Sequence, residues 1–426
     1  MSLMGYAVFV ILVLLMILRV PLAFCMSIPA LAYLLVNNLP IDIMAIRMTY
    51  AVDSFPLLAV PLFLLAGNLM NSSGITDRIF NFSKQLVGHI PGGLAHVNVL
   101  ASLIFSGCSG SALADVGGLG SMEMKAMTDA GYKKDFSAAV TIASSTIGPI
   151  FPPSVPLIIF GAVTETSAVN LLIAGISPGI VVAIFLMITI AIIAKIRKFH
   201  RDLEIFSLKN IFLGFIKAFP PLMTPVILIF GMISGIFSPT EAAGVTVLYA
   251  LILGFMYKEI SVKQIYNTTK ETVISTATIM FLVASALLFG WIITVEQVPQ
   301  VVGSMMHSIS TNPLVVMLVV NILLLIVGCF LETVAAILLF APLVTDILVE
   351  VGYDPVQIGM VFVFNLMIGL ITPPVGMSLY LVSKVADVRV ENVIREVLPF
   401  FIPLIVVLFL ISYVPQFTMY LPRLMQ

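Results

Sequence analysis

SSTIGPIFPPS, Ser144 to Ser154, and GLITPPVGMS, Gly369 to Ser378, decide the fold of this 426-residue chain. Each sets a Pro-Pro pair inside an apolar run. Proline has no backbone N–H, so it takes the donor from the carbonyl four residues earlier and stops a helix from continuing. Pro152 and Pro153 release the carbonyls of Gly148 and Pro149; Pro373 and Pro374 release those of Gly369 and Leu370. Irregular backbone in hydrocarbon is tolerated only where protein or a polar cavity surrounds it. Ser144, Ser145, Thr146 and Ser154 in the first stretch, and Thr372 in the second, set hydroxyl oxygens near the freed carbonyls. Neutral oxygens in such a cluster suit a small hard cation. A kink serving packing alone is the plainer reading, and a second copy of the arrangement argues against it.

The copy extends outward from the prolines. Sliding the chain by 221 residues places Gly107 and Cys108 on Gly328 and Cys329, Gly131 and Tyr132 on Gly352 and Tyr353, and Ile147, Gly148 and Ile150 on Ile368, Gly369 and Ile371. A slide of 223 aligns Gly67 with Gly290, and Ile75 to Val87 with the segment from Val298 onward. Upstream of each Pro-Pro pair lies a long interrupted apolar stretch, about 91–130 and 311–350, expected to enter and leave the bilayer on one side. In the first, FSGCSGSALADVGG (Phe105 to Gly118) is rich in Gly, Ser and Ala, which let a backbone turn within the membrane and approach a ligand. A small-residue helix-packing face is the alternative reading. The second carries GCFLETVAAILLFAP, Gly328 to Pro342, with Thr333 supplying a hydroxyl.

Composition agrees with a membrane protein. Hydrophobic residues make up 60% of the chain and charged ones 10%, under half the charged share of a soluble domain, which excludes a soluble enzyme. Long continuous apolar runs without period-two alternation exclude a β-barrel. Crossings are expected near 4–18, 20–37, 55–70, 136–160, 171–194, 219–236, 241–257, 272–293, 356–383 and 398–414. Of the 20 Lys and Arg residues, all but Arg47 and Arg423 then fall on one side, which the positive-inside rule makes cytoplasmic. Both termini are expected outside, and the first apolar run is read as a retained span. Five crossings per half turn the second copy upside down, giving repeats over 1–194 and 213–426 joined by a basic cytoplasmic linker, 195–212. The arms agree: Arg78 and Lys84 mark the first, whereas Glu296 to Ile309 has neither Lys nor Arg. Ile260 to Val273 reads as another arm at the cytoplasmic interface. Inverted repeats with broken helices meeting near mid-membrane are the signature of secondary transporters.

Other functions find little support. A net charge of −1 suggests no nucleic-acid partner, and no GxxxxGK[ST] loop provides for ATP. Cys25, Cys108 and Cys329 lie in apolar runs without CxxC spacing and read as packing residues. Gly107 to Gly110 spells the GxSG of intramembrane serine proteases, but His200 and His307, in the linker and an exterior arm, make a poor base. Asp115 and Glu332 are the acids nearest the hairpin tips, each open to a ligand role or to helix capping. Glu241 reads as a cap with Ser238. Asn68 and Asn365 are polar groups within apolar runs, and Asn365 is a substrate candidate if its helix presents it inward.

At VPLFLLAGNLMNSSGI, FSGCSGSALADVGGLGSMEMKAM, IGPIFPPSVPLIIFG, FSPTEAAG and FNLMIGLITPPVGMSLYL, the chain resembles the large membrane subunit of tripartite ATP-independent periplasmic (TRAP) transporters over essentially its full length, and within that family the sialic-acid-type members. The resemblance implies an all-α elevator-type secondary transporter of a bacterial inner membrane, driven by sodium and taking up a carboxylate such as the acidic sugar sialic acid. It implies two partners, a small four-helix membrane subunit and a periplasmic substrate-binding protein. Carried over by motif, one sodium site falls at Ser106, Ser109, Ser111 and Gly148 and another at Gly328, Thr333, Gly369 and Thr372, with substrate between them near Pro152, Ser154 and Pro373. An autonomous sodium- or proton-coupled dicarboxylate carrier is the alternative, and a channel is disfavoured by hairpins entering from opposite sides.

Overall fold

A computed structural model describes residues 3–199 and 207–424. Its regular elements are all helical. The first half opens with α1 (Leu3–Ile17), α2 (Leu22–Val36), α3 (Asp42–Val52), α4 (Ala59–Ser72) and α5 (Ile75–Val87). A hairpin follows, up through α6 (Gly93–Ser109) and back through α7 (Ala112–Gly117) and α8 (Leu119–Asp129). Next come α9 (Lys134–Ser145), α10 (Val155–Thr164), α11 (Ala168–Ala174) and α12 (Ile176–Ile196). The second half runs α13 (Leu208–Ile233), α14 (Pro239–Tyr257), α15 (Val262–Val295) and α16 (Val298–Ile309), then a hairpin of α17 (Pro313–Phe330) and α18 (Thr333–Glu350). It ends with α19 (Pro355–Leu370), α20 (Met377–Ala386), α21 (Val390–Tyr413) and α22 (Pro415–Leu424). Eight of the described helical stretches are long and apolar enough to cross a membrane, and further apolar helices are shorter.

Local chemistry sets the ends. Asn312 and Asp354 cap α17 and α19, accepting from Leu314 N at 3.0 Å and Val356 N at 2.8 Å, and each is followed by a proline at the first helical position, where a missing N–H costs nothing. Both expected helix breaks are present. The first lies between α9 and α10 and the second between α19 and α20, each around its Pro-Pro pair. Both interrupted stretches are hairpins.

Elsewhere the helices depart from expectation. Ile260 to Val273 is no separate arm: a capping box of Ser261 and Gln264 starts α15, and with neither Gly nor Pro before Gly290 the helix runs unbroken for 34 residues. The sixth crossing begins at Leu208, well before 219, and carries Pro220, Pro221 and Pro225 inside it. Helices α3 and α22 were not anticipated from hydropathy, both being short and mixed in polarity. The expected linker is shorter at both ends, because α12 continues to Ile196 and α13 starts at Leu208; residues 200–206, with His200 and Arg201, lie outside the described residues, as does the side chain of His307.

Packing falls into two groups. In one, α15 lies against α2, α3 and α4, and α4 against α14. In the other, α9 packs on α6, α8 and α21, and α19 on α17, α18 and α21. They meet where α4 touches α6 and α10, where α15 touches α18, and through α5, which packs on α6 and on α13, itself against α14. Exchange between the halves joins the second group: α10 packs on the hairpin helix α18, and α20 on the hairpin helix α7. Ile184, Ile188 and Ile192 on α12 and Phe212, Phe219 and Phe230 on α13 are exposed, as befits surfaces solvated by lipid tails.

Candidate functional site at two hairpin tips

Each hairpin tip is seated on the helix break of its own half. In the first half α6 ends at Gly110, whose φ of +62 favours glycine. A Cβ there would sit 2.2 Å from the Pro153 carbonyl oxygen, so only glycine lets the tip and the break touch. Ser111 then starts α7, accepting from Ala114 N at 3.4 Å, and its backbone lies against Gly148. Ser111 and Gly148, expected together, are together. Ser109 packs its backbone on Gly67 of α4, and its buried hydroxyl has no partner among the described residues. Ser106 sits a turn below the tip, donating to the Leu103 carbonyl at 2.6 Å.

The second half repeats the contact with other residues. Gly328 and Gly369 meet face to face: a Cβ on Gly369 would lie 2.5 Å from Gly328 backbone atoms. The N–H of Gly376 donates to the Cys329 carbonyl at 3.1 Å, tying the break to the tip. Thr333 begins α18 and is buried. Thr372 donates to the Ile368 carbonyl at 2.6 Å.

The freed carbonyls are only half free. Ser154 caps α10, accepting from Leu157 N at 3.1 Å, and donates its own hydroxyl to the Pro149 carbonyl. The Gly369 carbonyl is recaptured by the Thr372 N–H at 2.9 Å, because the chain tightens into a turn before the prolines. The carbonyls of Gly148 and Leu370 accept no backbone hydrogen bond across their breaks among the described residues. Pro152 is buried beside the first tip and Pro373 is half-buried in the second break. Helices α10, α18 and α20 all begin at a tip or break, so their positive ends gather where the halves exchange helices.

The two candidate acids part company. Glu332 is the N-cap of α18, accepting from Ala335 N at 3.1 Å. Asp115 caps nothing; Ser111 has that role, and the Asp115 carboxylate is buried without a partner among the described residues. Glu241 forms the expected capping box with Ser238. Asn68 braces α4 to α15 through Thr272 at 3.0 Å. Asn365 faces into the second half, donating to Asn321 at 2.7 Å, which donates to Ser412 at 3.0 Å. The corresponding contact in the first half is Ser144 to Asn98 at 2.6 Å. Reading by motif missed Asn98, Asn321, Glu123 and the Ser378 hydroxyl, which is buried and without a partner among the described residues. Asn98 was findable, since Ser102 and Ser106 follow it at helical spacing on the small-residue face of the first hairpin, and Asn321 was findable as a lone amide in the apolar run of α17.

The three cysteines are buried and unbridged. A cavity of about 730 Å³ opens away from the tips, lined by Tyr132, Lys133, Phe136, Arg197 and Glu396. There Arg197 pairs with Glu396 at 2.7 Å and lies over the Phe136 ring.

Residues 9–417 match the family described as the DctM component of the tripartite ATP-independent periplasmic transporter. The sialic acid TRAP transporter large permease protein SiaM of Vibrio cholerae is 48% identical over 406 residues, 95% of each chain. The C4-dicarboxylate TRAP transporter large permease protein DctM of Pseudomonas aeruginosa is 37% identical over 395 residues, 92% of each. Among solved structures, the Alcanivorax borkumensis YdaH transporter superposes with a TM-score of 0.64 at 15% identity, covering 87% of this chain and 86% of that one, a likeness of fold alone.

Proposed function

This chain belongs to the DctM component family of the tripartite ATP-independent periplasmic transporters, as a large permease rather than an enzyme, and on that ground we propose that it takes up an acidic sugar of the sialic acid type, driven by sodium. The observation that carries the reading is the meeting of two hairpin tips with two proline-broken helices. Ser109, Ser111 and the Gly148 carbonyl supply oxygens on one side, and Thr333, Thr372 and the Leu370 carbonyl on the other. These would hold sodium ions, at Ser106, Ser109, Ser111 and Gly148 and at Gly328, Thr333, Gly369 and Thr372. A carboxylate would lie between them near Pro152, Ser154 and Pro373, facing helix N-termini and the ions rather than a basic side chain. Asn365 supports this region from behind, bonded to Asn321.

The exchange of helices between halves supports an inverted repeat, and the two packing groups support an elevator in which the hairpins and broken helices slide as one body against the rest. Family membership implies a small membrane subunit and a periplasmic binding protein as partners, and an inner-membrane location with both termini periplasmic completes the reading. Identity to the Vibrio cholerae sialic acid protein supports the substrate; the dicarboxylate relative makes a C4-dicarboxylate the second reading.

The test is reconstitution with the small subunit in proteoliposomes and uptake of labelled N-acetylneuraminate, with and without a sodium gradient and the binding protein. Uptake is expected only with all three. Uptake without the binding protein favours an autonomous carrier, and uptake of succinate in place of the sugar moves the substrate to the dicarboxylates. Ser109→Ala and Thr333→Ala should each raise the sodium concentration needed for half-maximal uptake.

A further inference from the structure

At the C-terminal end of α12 three hollows join. The cavity of about 730 Å³ bounded by Lys133, Arg197 and Lys198 shares Lys198 and Phe199 with a second of about 430 Å³, lined also by His96 and Lys195. Through Arg197 it adjoins a groove of about 340 Å³ between α12 and α21, lined by Ile192, Ile196, Pro399 and Ile402. The joined recess is basic at one end and apolar along the other.

Charge alone would not single this place out, because basic residues at a helix C-terminus answer its dipole and mark the cytoplasmic side. Two observations go further. The charge is largely unspent: Glu396 is the acid that lines the recess, Arg197 pairs with it at 2.7 Å, and Lys133, Lys195 and Lys198 are in no ion pair among the described residues. His96 of α6, moreover, is 3% exposed and lines the same hollow as Lys195 and Lys198. Neither of its ring nitrogens has a hydrogen-bond partner among the described residues. An imidazole always carries at least one N–H, and a buried donor without an acceptor is unfavourable. Basic side chains and an unsatisfied donor around one hollow fit an oxyanion.

The apolar groove indicates what carries that oxyanion. Ile192, Ile196 and Ile402 are exposed on helices long and apolar enough to cross a membrane, and from Arg197 back to Thr189 the groove follows α12 for about 12 Å. A soluble phosphate would leave it empty, whereas an acyl chain would fill it. We propose that this recess binds an anionic phospholipid, with its phosphate among His96, Lys133, Lys195 and Lys198 and an acyl chain along Ile192, Ile196, Pro399 and Ile402. Basic hollows between membrane helices are suited to such headgroups. Helices α6, α9, α12 and α21 pack on one another, so the lipid would join the body that carries the first hairpin. The site is independent of the substrate and of the driving ion.

The test uses the full-length chain with its small subunit, purified in detergent, stripped of lipid and titrated with phosphatidylglycerol under native mass spectrometry. One phosphatidylglycerol per chain is expected to bind more tightly than phosphatidylcholine of the same chain length. Replacing two exposed lysines together, Lys195→Gln with Lys198→Gln, should weaken that binding roughly thirtyfold. His96→Phe should weaken it about tenfold, and His96→Gln, which keeps an N–H, should restore part of the loss. The lysine pair is decisive if the buried His96→Phe variant fails to fold. Unchanged affinity in the lysine pair overturns the proposal, as does equal binding of phosphatidylcholine. Displacement of the lipid by glycerol phosphate at similar concentration also overturns it and makes this a soluble-phosphate site. Phosphatidylglycerol that binds only after Asp202→Asn and Glu204→Gln, in the linker that follows Phe199, would make that segment the occupant and overturn it too.

Discussion

Single residues fix how closely tips and breaks approach. Gly369→Ala would drive a methyl group into the Gly328 backbone at 2.5 Å, and backbone, unlike a flexible side chain, cannot yield. The expected penalty is about 1–3 kcal/mol, read as a lower thermal midpoint of the purified protein. Gly117, where an added methyl group would meet nothing within 4 Å, is the control: Gly117→Ala should move the midpoint little. Residue identity was legible where chemistry allows one outcome, as with Gly110 and the Pro-Pro pairs. It was not where a side chain has two uses. Asp115 and Glu332 carry the same charge near equivalent tips, and only the course of the backbone makes Glu332 a cap and leaves Asp115 unpartnered among the described residues.

Elements are held by a few polar contacts across apolar faces. The Asn321–Asn365 bond joins α17 to α19, and Asn321→Ala leaves a buried amide with one partner fewer, an expected loss of about 1–3 kcal/mol. A double-mutant cycle with Asn365→Ala should give a coupling of about 0.5–3 kcal/mol if the bond acts as a pair; strict additivity would assign both effects to packing. Hairpins and breaks could be read from sequence because Gly, Ser and Pro are conspicuous in apolar runs. Helix α15 could not be divided correctly, since a basic amphipathic opening looks the same whether it ends at the interface or continues into the bilayer. Glu123 was passed over for a related reason: its polar surroundings, MEMKAMTD, resemble a surface helix, and only packing against α6, α7 and α9 encloses Glu123 while Lys125 and Asp129 stay exposed.

The whole molecule carries its basic residues asymmetrically, and this predicts an orientation that can be measured. With Cys25, Cys108 and Cys329 buried, an impermeant maleimide added to intact cells should label Arg423→Cys and spare Lys195→Cys until the membrane is opened; the reverse pattern would invert the topology. Helix lengths carry a separate consequence. The 15-residue α1 and α2 reach about 22 Å each, against a hydrocarbon core of about 30 Å, while the apolar part of α15 beside α2, residues 273–295, reaches about 35 Å. Lipid beside the short pair must thin while the long helix leans, so the protein holds an elastic dimple in the surrounding bilayer. Membrane thickness thereby becomes a load on the proposed sliding of its parts, and vesicles of longer-chain lipids should slow uptake without weakening the proposed binding of sodium.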